Sequence, residues 1–166
     1  MEQQRTDGAR RATAADAEEL VRLREVMLAE VAGTVGDGWQ EASVEILRAR
    51  LSAADPALVA FVADRPDRPG ALAACVVGTV EYRLGGPGNP GGRTGYVFNV
   101  ATDPGQRRRG HSRRCMTALL GWYRAQGVRT VDLRASQQGE PLYRSLGFVR
   151  TPDPAMRLRL PAAPDA

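Results

Sequence analysis

The chain of 166 residues contains no lysine; all 23 of its basic residues are arginine. Together with 18 glycines and 11 prolines, that bias reads as codon usage, so no single arginine counts as evidence of function. One histidine and two cysteines are too few to build a zinc centre, and no metal is expected. Aromatic residues make up only 5% of the chain. The formal charge of +4 and the pI near 9.7 suit anionic ligands in general. A nucleic-acid surface would interleave aromatics with its basic residues, and none sits inside the one arginine run, so no nucleic acid is expected as a partner. No apolar run approaches the roughly 18 residues of a membrane span, and no leader is visible. The expectation is a soluble, cytoplasmic protein without a membrane partner.

Hydrophobic residues at 43% and charged residues at 25% are ordinary for a globular chain, and the length suits one domain. Residues 1–8 read as a flexible N-terminus, 9–160 as the domain and 161–166 as a tail. Residues 9–13 suit a short strand. Thr13 or Asp16 can cap a helix whose Leu20, Leu23, Met27 and Val31 share one face. Residues 33–38 break it. A second helix, residues 39–52, places Val44, Leu47 and Leu51 together and ends at Asp55-Pro56. The apolar runs 57–63 and 71–84, joined by a Pro/Gly turn, predict an antiparallel hairpin. Residues 85–92 are a Gly/Pro loop, either a plain connection or a lid. A strand at 94–102 precedes a helix over 113–126 closed by Gly127, and a strand at 128–134 completes a parallel crossover. A short helix, 140–146, and two short strands, 148–150 and 155–160, finish the chain. The order β-α-α-β-β-β-α-β-α-β-β predicts a mixed α/β fold with a sheet partly antiparallel and partly parallel.

The stretch Asp103-Pro104-Gly105-Gln106-Arg107-Arg108-Arg109-Gly110-His111-Ser112 lies between a strand and a helix. Helix-start N–H groups lack internal partners and point along the positive end of the dipole, so this turn can hold an anion. Gly110 and the small Ser112 allow close approach, and three arginines add charge. A solvated Gly/Arg turn is the plain alternative. The placement, and a second patch at Leu142-Tyr143-Arg144-Ser145-Leu146-Gly147-Phe148, favour a diphosphate-bearing ligand.

These residues resemble the GCN5-related N-acetyltransferase superfamily. Its acetyl-CoA signature is Gln or Arg, two residues, Gly, one residue, then Gly or Ala. Arg107, Gly110 and Ser112 stand at those positions, with serine replacing the usual small residue. Tyr143 followed by Gly147-Phe148 is similar to the family's late helix, and the element order corresponds from about residue 9 to 160. The resemblance implies an enzyme, an N-acetyltransferase that uses acetyl-CoA as acyl donor. It implies that strands 94–102 and 128–134 splay, so that Val100, Ala101 and Thr102 hydrogen-bond the pantetheine arm. Arg107, Arg108, Arg109, Gly110, His111 and Ser112 would hold the pyrophosphate.

The resemblance also implies that Tyr143 protonates the leaving thiolate, its phenol pKa being about 10 before any perturbation. The base is open. The family often carries a glutamate near the position of Tyr96, absent here. Tyr96, Asn99 and Glu81 are expected on strands lining the acceptor side, with Asn99 and Glu81 the further catalytic candidates. A water chain ending at Glu81, or a backbone carbonyl, is the route left for the proton. His111 reads as a turn residue unavailable for that task. Trp39 either caps the acceptor pocket or packs on the surface. Cys75 and Cys115 read as small core residues. The partner expected is an amine-bearing acceptor, a small molecule or a protein, with a homodimer left open. The alternative is a non-catalytic acyl-CoA sensor.

Overall fold

A computed structural model describes residues 8–54 and 57–162. The elements are β1 (Arg10–Arg11), α1 (Ala17–Ala32), α2 (Gln40–Leu51), β2 (Leu58–Asp64), β3 (Leu72–Tyr82), β4 (Arg93–Thr102), α3 (His111–Ala125), β5 (Thr130–Leu133) and α4 (Glu140–Ser145). The expected stop at Asp55-Pro56, residues 1–7 and residues 163–166 lie outside the described residues. Two compact units emerge, the described residues up to Arg134 and those from Ala135 on.

The first unit holds a five-stranded sheet in the order β1-β2-β3-β4-β5, antiparallel except for the parallel pair β4–β5. The fold is therefore mixed α/β. Strands β2 and β3 are buried along nearly their whole length because helices cover both of their faces. That is why they read as unbroken apolar runs and not as alternating ones. On one face Leu20 and Leu23 of α1 pack with Leu58, Ala60, Val62, Cys75 and Val77, and Leu47 and Leu51 of α2 lie against this cluster. On the other face Cys115, Met116, Leu119, Trp122 and Tyr123 of α3 are buried. Each large side chain so covered contributes about 1.5–3 kcal/mol.

Asp16 closes the 3-10 turn Ala14–Asp16 that leads into α1: its Oδ2 accepts from the Thr13 N–H at 2.8 Å and from Arg10 Nη1 at 2.9 Å. Val31 does not join the apolar face predicted for it. It is 77% exposed, because the stripe ends with Met27 at the edge of the core. α3 sits close to the sheet where Gly78 and Gly95 leave room for Tyr123. A Cβ on Gly95 would lie 2.8 Å from the Tyr123 ring, and one on Gly78 would meet the hydroxyl. That hydroxyl shares its one proton between the carbonyls of Thr79 (2.9 Å) and Tyr96 (3.1 Å). α3 ends at Gly127 (φ 73°) with Val128 N–H bonded to Tyr123 O at 3.0 Å and Gly127 N–H to Arg124 O at 3.0 Å, the paired closure that a left-handed glycine permits.

In the second unit α4 closes the same way. Phe148 N–H bonds Tyr143 O at 3.1 Å, Gly147 N–H bonds Arg144 O at 3.0 Å, and the Phe148 ring meets Tyr143 edge-on at 6.1 Å. The spacing of tyrosine to Gly-Phe is thus a helix-stop signal with its own hydrophobic contact. The two strands expected at 148–150 and 155–160 are corrected: neither segment is a strand. Met156, Leu158 and Leu160 do alternate with Arg157 and Arg159. Alternation makes a strand only where a neighbour supplies a ladder, and no ladder among the described residues includes these; Val149 is 85% exposed.

Candidate functional site

β4 pairs with β3 from Arg93 to Thr102 but with β5 only from Thr94 to Val97. Beyond Val97, residues 98–102 have no ladder partner on the β5 side among the described residues. The expected splay is present, and it leaves a strand edge open to an extended ligand. At its start the register slips: Val77 faces Phe98 and Cys75 faces Ala101, so two residues of β4, Asn99 and Val100, oppose one of β3. This is a β-bulge. Asn99 takes φ 52°, left-handed and uncommon for a residue with a side chain.

The expectation that Asn99 serves as a catalytic group meets a side chain already engaged. Asn99 is buried, 7% exposed. Its Oδ1 accepts from Arg24 Nη1 at 3.3 Å, its Nδ2 donates to Cys75 Sγ at 3.7 Å, and its carbonyl accepts from the Cys75 thiol at 3.7 Å. Burial pushes that thiol up to about 12, so it stays a neutral donor.

The turn that follows is anchored through Asp103. Its Oδ1 accepts from the Gly105 N–H at 3.0 Å, and its Oδ2 takes Arg22 at 2.9 Å and Arg65 at 3.5 Å. Arg108 (φ 61°) and Gly110 (φ 76°) then reverse the chain. α3 starts at His111, two residues before the predicted boundary, so His111 and Ser112 belong to its first turn. The first turn of α3, whose N–H groups lack internal partners, is tied to the end of β4 by the contact of Thr102 Oγ1 with Ser112 Oγ at 2.5 Å. Arg107 pairs with Glu30 at the end of α1. Arg108 and Arg109 are exposed.

His111 Nδ1 lies 3.2 Å from Arg114 Nη1. A guanidinium only donates, so Nδ1 accepts and the ring proton is on Nε2. Burial, with the charges of Arg114 and Arg109, holds the imidazole below its usual pKa and keeps it neutral. Its Nε2 is buried without a partner, as is Oε1 of the buried Gln106. Orphaned buried polar atoms are rare, and of the three among the described residues two lie in this turn. Of those two only His111 Nε2–H is a donor, the Gln106 oxygen being an acceptor that an anion would not satisfy. The donor set fits a diphosphate.

The remaining candidates are more dispersed. Glu81 is a partly exposed strand residue whose carboxylate pairs with Arg83 at 2.8 Å, and the same guanidinium reaches Asp132 at 3.4 Å. Tyr96 is paired in register with Asp132. Trp39 Nε1 donates to Gly36 O at 2.7 Å, so the indole is tied to its own loop. Tyr143, in the second unit, is 8% exposed, and burial raises its phenol pKa. Among the described residues no three His, Cys, Asp or Glu side chains converge as a metal site would require, and no helix is long and apolar enough to cross a membrane. The sequence placed Asp103 and Gln106 inside the anion turn without roles of their own, although Asp103-Pro104 is a turn-capping signal. Arg22 and Arg24 were missed, because they act across long sequence separations.

Residues 20–148 match the model of the acetyltransferase (GNAT) family. Among solved structures, a predicted acetyltransferase of Clostridium acetobutylicum with acetyl-CoA aligns with a TM-score of 0.78 at 22% identity, covering 91% of this chain and 94% of its own. A GCN5-related N-acetyltransferase of Ralstonia eutropha JMP134 gives 0.73 at 26%, covering 90% and 97%. Glucosamine-6-phosphate N-acetyltransferase of Arabidopsis thaliana gives 0.70 at 16%, covering 90% and 96%. No curated protein matches the sequence.

Proposed function

We propose that this chain, which belongs to the acetyltransferase (GNAT) family, transfers the acetyl group of acetyl-CoA to an amine by direct attack on the thioester. The observation that carries the proposal is the unpaired edge of β4 whose end, at Thr102, meets the first turn of α3 at Ser112. Residues 98–102 suit an extended amide-bearing arm, with Val100, Ala101 and Thr102 as its backbone partners. Arg107, Arg108, Arg109, Gly110, His111 and Ser112 suit the diphosphate, with His111 Nε2–H a ready donor. Acetyl-CoA supplies an activated carbonyl and a thiolate leaving group. The chain's task is to align an amine with that carbonyl and offer it a fixed backbone donor, and such pre-oriented dipoles commonly give the largest share of catalysis.

Tyr143 is our choice to protonate the thiolate. Its raised pKa keeps the phenol protonated until the transfer is made. Glu81 is the carboxylate proposed to relay the amine proton through water, exchanging its bond to Arg83 as it does so. The acceptor is a small molecule or a protein bearing a primary amine; the Arabidopsis neighbour acts on an amino sugar phosphate, as its name states. We take residues 9–160 as the extent of the domain.

Acetyl-CoA at 100 times its Kd should stabilise the protein by about 2.7 kcal/mol. For a chain of this size that raises Tm by about 5–11 °C. An unchanged Tm at millimolar acetyl-CoA refutes the proposal. A shift with no CoA release across a broad amine panel would mark the chain as an acyl-CoA sensor.

A further inference from the structure

The bulge at Asn99 stands at a critical place, since it opens the β4 edge on which the acyl group is proposed to lie. Asn tolerates the left-handed region better than most residues with a side chain, though less freely than glycine, and here its surroundings hold it in that conformation. Two side chains do so. Cys75 makes two sulfur contacts, both at 3.7 Å and both weak by nature. Arg24 makes the one charge-assisted bond, from Nη1 to Asn99 Oδ1. Arg24 lies four residues after Leu20 and three before Met27, so it flanks the stripe of α1 that packs on the sheet. The same helix sends Arg22 to Asp103 and Glu30 to Arg107. α1 therefore touches the bulge, the turn and the start of the arginine run, and Arg24 is its contact to the bulge.

We propose that Arg24 is a positioning residue: by bonding Asn99 Oδ1 it holds the β4 bulge in the left-handed conformation that aims a backbone donor at the acyl carbonyl. The inference rests on the acetyltransferase reading of this strand and goes beyond it, since Arg24 belongs to neither the signature turn nor the Tyr143 patch. The role is orientation. No proton passes through a guanidinium, and the bond to Asn99 leaves the diphosphate turn untouched.

The test is a double-mutant cycle on the full chain, using Arg24→Met, Arg24→Lys, Asn99→Gly and the pair Arg24→Met/Asn99→Gly, each first checked for a cooperative melt. Glycine adopts the left-handed region without help, so the need for Arg24 should vanish once Asn99 is replaced by glycine. Arg24→Met is expected to lower kcat by about 10- to 100-fold, the scale of a small misplacement of reacting groups. The Tm rise on adding acetyl-CoA should stay as in the parent. Lysine, which can still donate one bond, should recover most of the loss. In the Asn99→Gly background the Met substitution should change kcat by less than about twofold. A parallel arm needs no activity. In a Cys115→Ala chain, Arg24→Met should speed the labelling of Cys75 by a small thiol reagent at least several-fold, because the bulge covering that thiol loosens. Equal loss of kcat in the parent and Asn99→Gly backgrounds would overturn the proposal, as would unchanged labelling. A parent chain whose Tm ignores acetyl-CoA would sink the acetyltransferase reading, while the labelling arm still decides whether Arg24 holds the bulge.

Discussion

Replacing Tyr123 by phenylalanine isolates how α3 is fastened to the sheet. The ring fills the gap over Gly78 and Gly95, and the hydroxyl donates to the carbonyls of Thr79 and Tyr96, two residues that face each other across the β3–β4 ladder. Phenylalanine keeps the ring and removes only the donor. Two carbonyls beneath a buried helix then lose a shared partner, which costs about 1–3 kcal/mol. A chain of this size converts each kcal/mol into about 2–4 °C, so Tm should fall by about 2–12 °C. Circular dichroism melts of Tyr123→Phe against Tyr82→Phe, an exposed tyrosine, provide the measurement and its control. The acetyl-CoA shift should survive, because Tyr123 lies 12 residues along α3 from His111, about 18 Å of helix. A Tm within 1 °C of the parent would show that the two bonds hold nothing.

Other perturbations reach the site itself. Asp103→Ala removes the acceptor shared by Arg22, Arg65 and the Gly105 N–H and leaves two partly covered guanidiniums without it; a loss of about 1–3 kcal/mol, with weaker acetyl-CoA binding, should appear in melts with and without ligand. Tyr143→Phe should depress kcat and leave the acetyl-CoA Tm shift within about 1 °C of the parent; equal turnover removes Tyr143 from the chemistry. His111 sets a pH dependence whose sign is fixed. Its pKa in the unfolded chain is about 6.5 and lower in the folded one. Between the two values the unfolded state binds more protons, so stability should fall as pH drops below about 6.5 and be indifferent to this group above it. The difference between parent and His111→Gln melts from pH 8 to 5 reads that contribution, and a flat difference would contradict it.

Much of the fold could be read from periodicity alone. Leu20, Leu23 and Met27 on α1, and the unbroken runs of β2 and β3, each declare a face or a burial state within a few residues. Gly110 and Gly127 likewise marked chain reversals that the structure places at positive φ. What periodicity could not decide was whether a pattern would find a partner. Residues 155–160 alternate as a strand does and form none in the described sheet, whereas α3 begins at His111 because Gly110, not the next apolar residue, ends the turn.

The site was legible as a backbone and illegible as a set of side-chain contacts. The proposed diphosphate turn is local in sequence, so Arg107, Gly110 and Ser112 could be matched to the family's signature from the sequence. The groups that hold such a turn in place are not local: Arg22 reaches Asp103 across 81 residues and Arg24 reaches Asn99 across 75. Because every cation in this chain is an arginine, sequence alone had no means of separating these two from the rest. Geometry separates them by what they reach. Arg48 and Glu18 are both largely exposed, and a pair of that kind contributes little. Arg22 reaches the buried carboxylate of Asp103, and Arg24 the buried amide of Asn99. In a chain this rich in arginine, the ones to test first are therefore to be sought by the burial and backbone conformation of their acceptors, a criterion that selects Arg24.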